Sequence, residues 1–213
     1  FTYSAQDRLT LHKQQINSQP EQLIAKNTYD ELGQLISKNV GGEDVTGNTG
    51  LQKVDYTYNI RGWLKAINDV DNIGTDLFAF KISYDDPTNT AKALFNGNIA
   101  ETYWKTSSDN KLRKYEYTYD GLNRLLQADY SKNGNATFNS YLEHLTYDKN
   151  GNIQTLLRNG AMDTDGIQFA QTIDVLTYTY DTNNKNQLVK VDDSSNSPQG
   201  FNDGMNTDND FFY

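Results

Sequence analysis

The chain has no cysteine in its 213 residues. A disulfide framework and a thiolate-ligated metal are therefore both excluded. Histidine is almost as scarce, with two copies, His12 and His144. His144 falls in a strand-like stretch leading to Tyr147 and reads as a strand-face residue, since no partners for a metal site or a general base lie at suitable spacing. No Gly-x-Ser-x-Gly elbow, phosphate loop or His-Glu-x-x-His is present. No run approaches 18 apolar residues, so no stretch reads as a membrane-spanning helix. Positive charge is thin: 19 Lys and Arg stand against 28 Asp and Glu, giving a net charge of −9. The basic residues are scattered rather than clustered, which argues against a surface that tracks phosphates, and so against nucleic acid as a partner. There is neither an initiator Met nor a signal peptide, and both ends fall in mid-motif, so the expectation is a piece of a longer protein.

Aliphatic core material is also short. The apolar fraction is 36% with 15 Tyr counted. Exchanging Tyr for Gly in that count leaves it at about 36%, against the usual 45–50%. A thin structure with partly wet sheet faces fits this composition better than a thick two-layer core. Tyrosine suits such faces because its ring packs while its hydroxyl stays polar.

The tyrosines are not randomly placed. One recurs at positions 3, 29, 58, 84, 119, 147, 180 and 213, with spacings of 26, 29, 26, 35, 28, 33 and 33. Around it stands apolar/Thr-x-Tyr, then Asp or a substitute, two variable residues, Gly or a substitute, one residue, and Leu or Ile. The clearest copies are Tyr29-Asp30-Glu31-Leu32-Gly33-Gln34-Leu35 and Tyr147-Asp148-Lys149-Asn150-Gly151-Asn152-Ile153. Tyr58-Asn59-Ile60-Arg61-Gly62-Trp63-Leu64 and Tyr119-Asp120-Gly121-Leu122-Asn123-Arg124-Leu125 are close to them, and Tyr3 to Leu9 fits with Ser4 and Asp7. Around Tyr180 the segment between Asp181 and Leu188 is two residues longer, and after Tyr84 it is stretched further, resuming at Asn96-Gly97-Asn98-Ile99.

This is turn chemistry. The fourth residue after Tyr is Gly33, Gly62, Gly151, Asn123 or Asp7, the residue types that tolerate a left-handed backbone. The residue after Tyr is mostly Asp or Asn, as at Asp30, Asp120 and Asp148, whose side chain accepts from N–H groups two or three residues on. Between strand-like segments the pattern predicts a short hairpin closed by a left-handed residue. The flanks alternate with period two: Tyr115, Tyr117 and Tyr119 against Glu116 and Thr118; Val54, Tyr56 and Tyr58 against Asp55 and Thr57. Phe78, Phe80, Ile82 and Tyr84 do the same, as do Leu176, Tyr178 and Tyr180. No helical stripe competes.

The prediction is all-β: about seven degenerate repeats, each a hairpin, forming one large curved antiparallel sheet over residues 1–213 as a single domain. Roughly 14 strands at about 4.8 Å each would span about 65 Å if flat, and open sheets that wide usually curl. Gly41 to Asn48, Asp69 to Asp76, Asn133 to Asn135 and Asn159 to Gly166 read as connecting loops, and the polar stretch from Asp192 to Asp210 as a loop before a further repeat.

The motif Tyr-Asp-x-x-Gly-Arg/Asn-Leu resembles the YD repeat of the Rhs family, in particular bacterial Rhs-type wall- or surface-associated proteins. The likeness rests on Tyr58 to Leu64, Asn96 to Ile99 and Tyr119 to Leu125, and extends along essentially the whole chain. It implies a β-sheet strip spiralling into a hollow shell. In Rhs toxins and the C components of Tc toxins that shell encloses a C-terminal toxin; in teneurins it carries adhesion modules. The family's self-cleaving core segment has no match here, so no proteolytic activity is carried over. The resemblance implies a secreted or cell-surface location, no enzymatic activity, and the rest of the same polypeptide as partner.

The anchors on this reading are Tyr29, Tyr58, Tyr119, Tyr147 and Tyr180 with Leu35, Leu64, Leu125 and Ile153. Two other readings stay open. Asp163-Thr164-Asp165-Gly166, Asp69-Val70-Asp71-Asn72 and Asp148 to Asn152 resemble fragments of calcium loops, although none continues to a bidentate Glu at EF-hand spacing; the expectation is turns without a cofactor. Trp63, Trp104 and the tyrosine rows could present a platform for a glycan or a surface protein. A sequon at Asn135-Ala136-Thr137 reads as incidental.

Overall fold

The computed structural model of the protein describes residues 1–133, 139–160 and 170–201. The sequon, the Asp163 to Gly166 segment, Tyr213 and the second half of the polar stretch after Asp192 lie outside them. Among the described residues there are fourteen strands, and a single 3-10 turn at Thr90–Lys92 is the helical element.

The strands are β1 (Thr2–Tyr3), β2 (Leu9–Gln14), β3 (Gln22–Tyr29), β4 (Leu35–Val40), β5 (Gln52–Tyr58), β6 (Leu64–Ile67) and β7 (Phe78–Ser83). They continue as β8 (Glu101–Thr106), β9 (Arg113–Tyr119), β10 (Leu125–Lys132), β11 (Glu143–Tyr147), β12 (Ile153–Gly160), β13 (Gln171–Tyr180) and β14 (Leu188–Asp193). Their order in the sheet is their order in the chain. Six of the sequence motifs are the short turns of β1–β2, β3–β4, β5–β6, β9–β10, β11–β12 and β13–β14, all antiparallel pairs. The all-β, serial-hairpin architecture expected from the repeat is the one observed.

The contacts cluster into two compact units. One comprises Phe1–Ser83 with Thr102–Leu112, the other Tyr84–Glu101 with Arg113–Tyr213.

In the first unit Leu23 is the largest fully buried side chain, 1% exposed. A second apolar group gathers Val70, Ile73 and Ala79, with Tyr103 and Leu112 packed on it. Val70 and Ile73 come from the loop following β6, which contributes apolar side chains inward while Asp69 and Asp71 stay exposed.

In the second unit alternate residues of β10 point inward, burying Ala128, Tyr130 and Lys132. On β13, Asp174 and Leu176 are buried while Val175 and Thr177 are exposed. Tyr130 packs edge-on against Tyr141, centroids 5.1 Å apart, and at a tilt against Tyr115 at 5.4 Å. The loop expected from Asp192 starts after Asp193, because that residue remains in β14. Its carboxylate accepts from the N–H groups of Val175 (2.9 Å) and Ser195 (2.9 Å), tying the chain end of β14 to β13.

The turns have the geometry their residues require. Gly33, Gly62 and Gly151 hold φ of +88°, +79° and +92°, and Asn123 and Asp7 hold +62° and +56°. A side chain branched at Cβ is strained in this region. Gly62→Val and Gly151→Val are each expected to cost more than about 1 kcal/mol, read as a lowered urea midpoint. Gly121, whose φ is not positive and which has nothing near a would-be Cβ, provides the control. Gly121→Ala should be neutral or slightly stabilising. Equal losses in all three variants would defeat the turn assignment.

Candidate functional site

The most repeated chemistry in the chain lies at the joint between one hairpin and the next. In five of the six short turns, all but that of β13–β14, the residue after Tyr accepts on its own carbonyl from the left-handed residue, and its N–H donates back across the turn. Asp148 N–H donates to the Asn152 carbonyl (2.9 Å), and Gly151 N–H donates to the Asp148 carbonyl (3.2 Å). The Asp148 carboxylate then accepts from the N–H groups of Asn150 and Asn152 at 2.8 and 2.9 Å. Asp120 does the same with Leu122 and Arg124 (2.8 and 2.9 Å), and Asn59 with Arg61 and Trp63 (2.9 and 3.0 Å). Asp30 accepts from Gln34 N–H at 2.8 Å. These bonds favour the ionised acid. The Arg124 N–H, first among its partners, holds the Asp120 carboxyl below the usual carboxylate range. At Asp148 desolvation opposes the lowering, but bonds from Asn152, Asn150 and Gly151 outweigh it.

Immediately after each turn the ladder slips. Tyr29 faces Leu35 but Thr28 faces Ser37, so Ile36 is an extra residue on β4. The same slip leaves Thr10 extra on β2, Lys65 on β6, Leu126 on β10, Gln154 on β12 and Val189 on β14. These are β-bulges, which bend a strand and sharpen its local twist.

Each anchor tyrosine then reaches out of its own hairpin. The Tyr29 hydroxyl donates to the Leu9 carbonyl (3.0 Å) and the Tyr58 hydroxyl to Leu35 (2.9 Å). In the second unit Tyr119 donates to Ile99 (2.9 Å), Tyr147 to Leu125 (2.8 Å) and Tyr180 to Ile153 (2.9 Å). Every acceptor is the Leu/Ile of the preceding motif. The two ends of the motif, Tyr and Leu, are therefore donor and acceptor of successive joints.

A second tie runs from the residue before that Leu/Ile to the next turn. The Arg8 guanidinium lies over the Tyr29 ring at 5.9 Å and against Gly33, and Gln34 Nε2 sits 2.9 Å from where a Cβ on Gly62 would be. Arg124 stacks on Tyr147 at 4.6 Å and donates to the Asp148 carbonyl at 3.0 Å, while its Nε bonds Asp120 at 2.6 Å. Asn98 donates to Asn123 Oδ1 (3.1 Å), and Asn152 to the Lys185 carbonyl (3.0 Å). The strand pairs β2–β3, β4–β5, β10–β11 and β12–β13 complete the joints.

The sequence locates the Tyr, turn and Leu/Ile positions of the motif, but it does not reveal that Tyr and Leu act between repeats. It also misses two buried acids. Glu101 accepts from Thr88 N–H at 2.8 Å and lies 3.8 Å from Lys114. Asp174, fully buried, accepts from Arg158 Nε at 2.6 Å and from Phe201 N–H at 2.5 Å. Their partners come from other strands and loops, so no local motif marks them.

Among the described residues no group of three or more His, Asp or Glu is disposed to hold a metal ion. Asp71 N–H donates to Asp69 Oδ1 (2.9 Å) within a turn. His12 stacks on Phe1 at 4.4 Å, and His144 stands exposed on β11. Trp63 has one face covered by Arg61 at 5.1 Å, and Trp104 lies half-buried in β8. No helix of the described residues is long and apolar enough to cross a membrane.

The tyrosine hydroxyls must stay protonated to donate. Burial, the leading cause in each case, raises Tyr58, Tyr119, Tyr147 and Tyr180 above the ordinary value of 10.0. A raised folded pKa gives stability that is complete below the unfolded value and lost as pH climbs through the folded one. The chain should hold its stability on this account up to about pH 10 and lose it above. Urea melts of the parent and of variants with Phe at these four positions should differ at pH 8 and converge at strongly alkaline pH. A gap that persists there would show that the hydroxyls contribute nothing through donation.

Fold and joint together define a serial-hairpin repeat protein, in which one short motif supplies the turn, the bulge and the tie to its neighbour. No family model matches the chain, and no curated protein matches it in sequence. Among solved structures, one described as the crystal structure of TcdB2-TccC3-TEV is similar in backbone path, with a TM-score of 0.44 and 15% identity. The alignment covers 90% of this chain and 11% of that one.

Proposed function

We propose that the chain is a non-catalytic wall segment of a secreted or cell-surface protein of the Rhs, YD-repeat type. Its hairpins would add side by side into a β-shell that encloses or presents a toxin-like domain further along the polypeptide. The observation that carries this reading is the Tyr-hydroxyl-to-carbonyl joint, present at Tyr29, Tyr58, Tyr119, Tyr147 and Tyr180 with the same partner type each time. A joint that uses one side chain of the incoming repeat and a backbone atom of the previous one extends a sheet without needing a new interface for each addition. The chemistry of the motif is spent on turns and joints: Asp120 and Asp148 are bonded to their own backbones, and the anchor hydroxyls to carbonyls.

Limited proteolysis of the full-length protein tests the proposal. The region following the repeats should resist protease in the intact protein and become sensitive when the same region is expressed alone. Equal digestion in both settings would sink the enclosure. Saturable binding of the purified chain on a glycan array, with no protected region in the full-length protein, would replace it with a surface-recognition role through the aromatic face or the loops.

A further inference from the structure

Three Asn-Gly pairs lie wholly among the described residues: Asn96-Gly97, Asn150-Gly151 and Asn159-Gly160. Such a pair is the most reactive backbone context for asparagine, because glycine has no Cβ to keep its amide nitrogen away from the asparagine side chain. For the two to react, the glycine N–H must be free of an acceptor and the carboxamide carbon must swing over it. The structure sets the three pairs apart on the first of these.

Gly151 N–H donates to the Asp148 carbonyl at 3.2 Å as part of the turn. Gly160 is buried and faces Gln171 in the ladder between β12 and β13. The Asn159 carboxamide is held from both sides, with Nδ2 donating to the Asn139 carbonyl (3.1 Å) and Oδ1 accepting from Thr172 (3.0 Å). Gly97 differs. It lies outside any strand, its φ is +97°, and among the described residues its N–H meets no acceptor. Asn96 is exposed. Its carboxamide is bonded at both ends, as that of Asn159 is, by Asn98 N–H at 3.0 Å and by Asn123 Oδ1 at 2.8 Å, so the free Gly97 N–H is what distinguishes this pair.

We infer that Asn96 is a self-modifying site of the folded protein, converting through a cyclic imide to aspartate and isoaspartate ahead of the other two pairs. Solvent base removes the Gly97 amide proton, and that nitrogen bonds to Cγ of Asn96. The Cγ–Nδ2 bond breaks, and the nitrogen takes a proton from water and leaves as ammonia. A water molecule then opens the five-membered imide at one carbonyl or the other. Nothing is oxidised or reduced, and the only co-reactant is water. The product replaces a donor to Asn123 Oδ1 with a carboxylate. That removes one of the two amide bonds, from Asn96 and Asn98, that tie this motif to the next turn, and it adds negative charge to a chain already at −9.

The test is peptide mapping by mass spectrometry, with an isoaspartyl methyltransferase assay, on the whole chain incubated at mildly alkaline pH. In the folded chain the Asn96 peptide should gain its acid form several-fold faster than the Asn150 and Asn159 peptides. In urea the three rates should draw together, because the backbone constraints are gone. Equal rates in the folded chain, or faster conversion at Asn150 or Asn159, would overturn the inference. So would an unchanged ranking in urea, since the selection would then come from flanking sequence rather than from structure.

Discussion

Replacing Tyr29, Tyr58, Tyr119, Tyr147 and Tyr180 together by Phe should lower the unfolding free energy by about 5 kcal/mol, roughly 1 kcal/mol for each hydroxyl. The ring is kept in every case, so packing changes little. What is lost is the bond to the Leu9, Leu35, Ile99, Leu125 or Ile153 carbonyl, at 2.8–3.0 Å. The five joints share no side chain, so their losses should add to a good approximation. Natural domains are stable by only about 5–15 kcal/mol, so the sum is a large fraction of the whole. The loss should also divide. Tyr29 and Tyr58 belong to the first compact unit and the other three to the second, so about 2 kcal/mol should fall on one and about 3 kcal/mol on the other. Urea unfolding followed by hydrogen exchange on separate peptides would resolve the two. A five-fold variant within about 1 kcal/mol of the parent would mean that water replaces the joint at no cost.

Tyr130→Ala should cost about 3–5 kcal/mol, the range for truncating a large buried ring. Tyr130 is only 3% exposed and sits between the Tyr115 and Tyr141 rings. In a chain with so little aliphatic material its neighbours have few side chains with which to close the gap. Tyr130→Phe keeps the ring contacts and should cost about 1 kcal/mol. Leu122→Ala, at a turn tip and 70% exposed, should change little although it too removes apolar atoms. Thermal or urea melts of the three variants decide it. A Tyr130→Ala loss no larger than that of Leu122→Ala would show that the aromatic group is not where the second unit is held.

The strands and turns were legible because their causes are local. Period-two alternation around Tyr56 and Tyr58 or Tyr117 and Tyr119 needs only neighbouring residues, and a left-handed position selects Gly33, Gly62, Gly151 or Asn123 by sterics alone. The bulges were not legible. The extra residues are Thr10, Ile36, Lys65, Leu126, Gln154 and Val189, which share no size, charge or shape. The bulge follows from the turn it adjoins, not from the residue that occupies it. The joint was hidden for another reason. A tyrosine in a strand reads as a ring to be packed, and its hydroxyl finds an acceptor roughly two dozen residues earlier in the chain, beyond any local pattern. Tyr84 shows where the pattern weakens. Its carbonyl accepts from Leu94 N–H at 2.8 Å, closing a long connection in place of a short turn. Asp181 absorbs its two added residues more simply, with its N–H donating to the Gln187 carbonyl at 2.9 Å.

The short turns line one edge of each unit's sheet, and the connections between hairpins line the other. A joint is registered from the turn edge, by Tyr and Leu positions counted from the turn itself. The opposite loops contribute to none of the five anchor Tyr–carbonyl joints, and they carry much of the variation in spacing, such as 26 residues between Tyr3 and Tyr29 but 29 between Tyr29 and Tyr58. Lengthening or grafting sequence there changes the count of residues without changing which tyrosine meets which carbonyl. Whole hairpins can thus be gained or lost by a gene in single steps, each newcomer fitting a socket its predecessor already presents. Guest sequences would be best accommodated in the loops of the far edge, while the turn edge tolerates few changes.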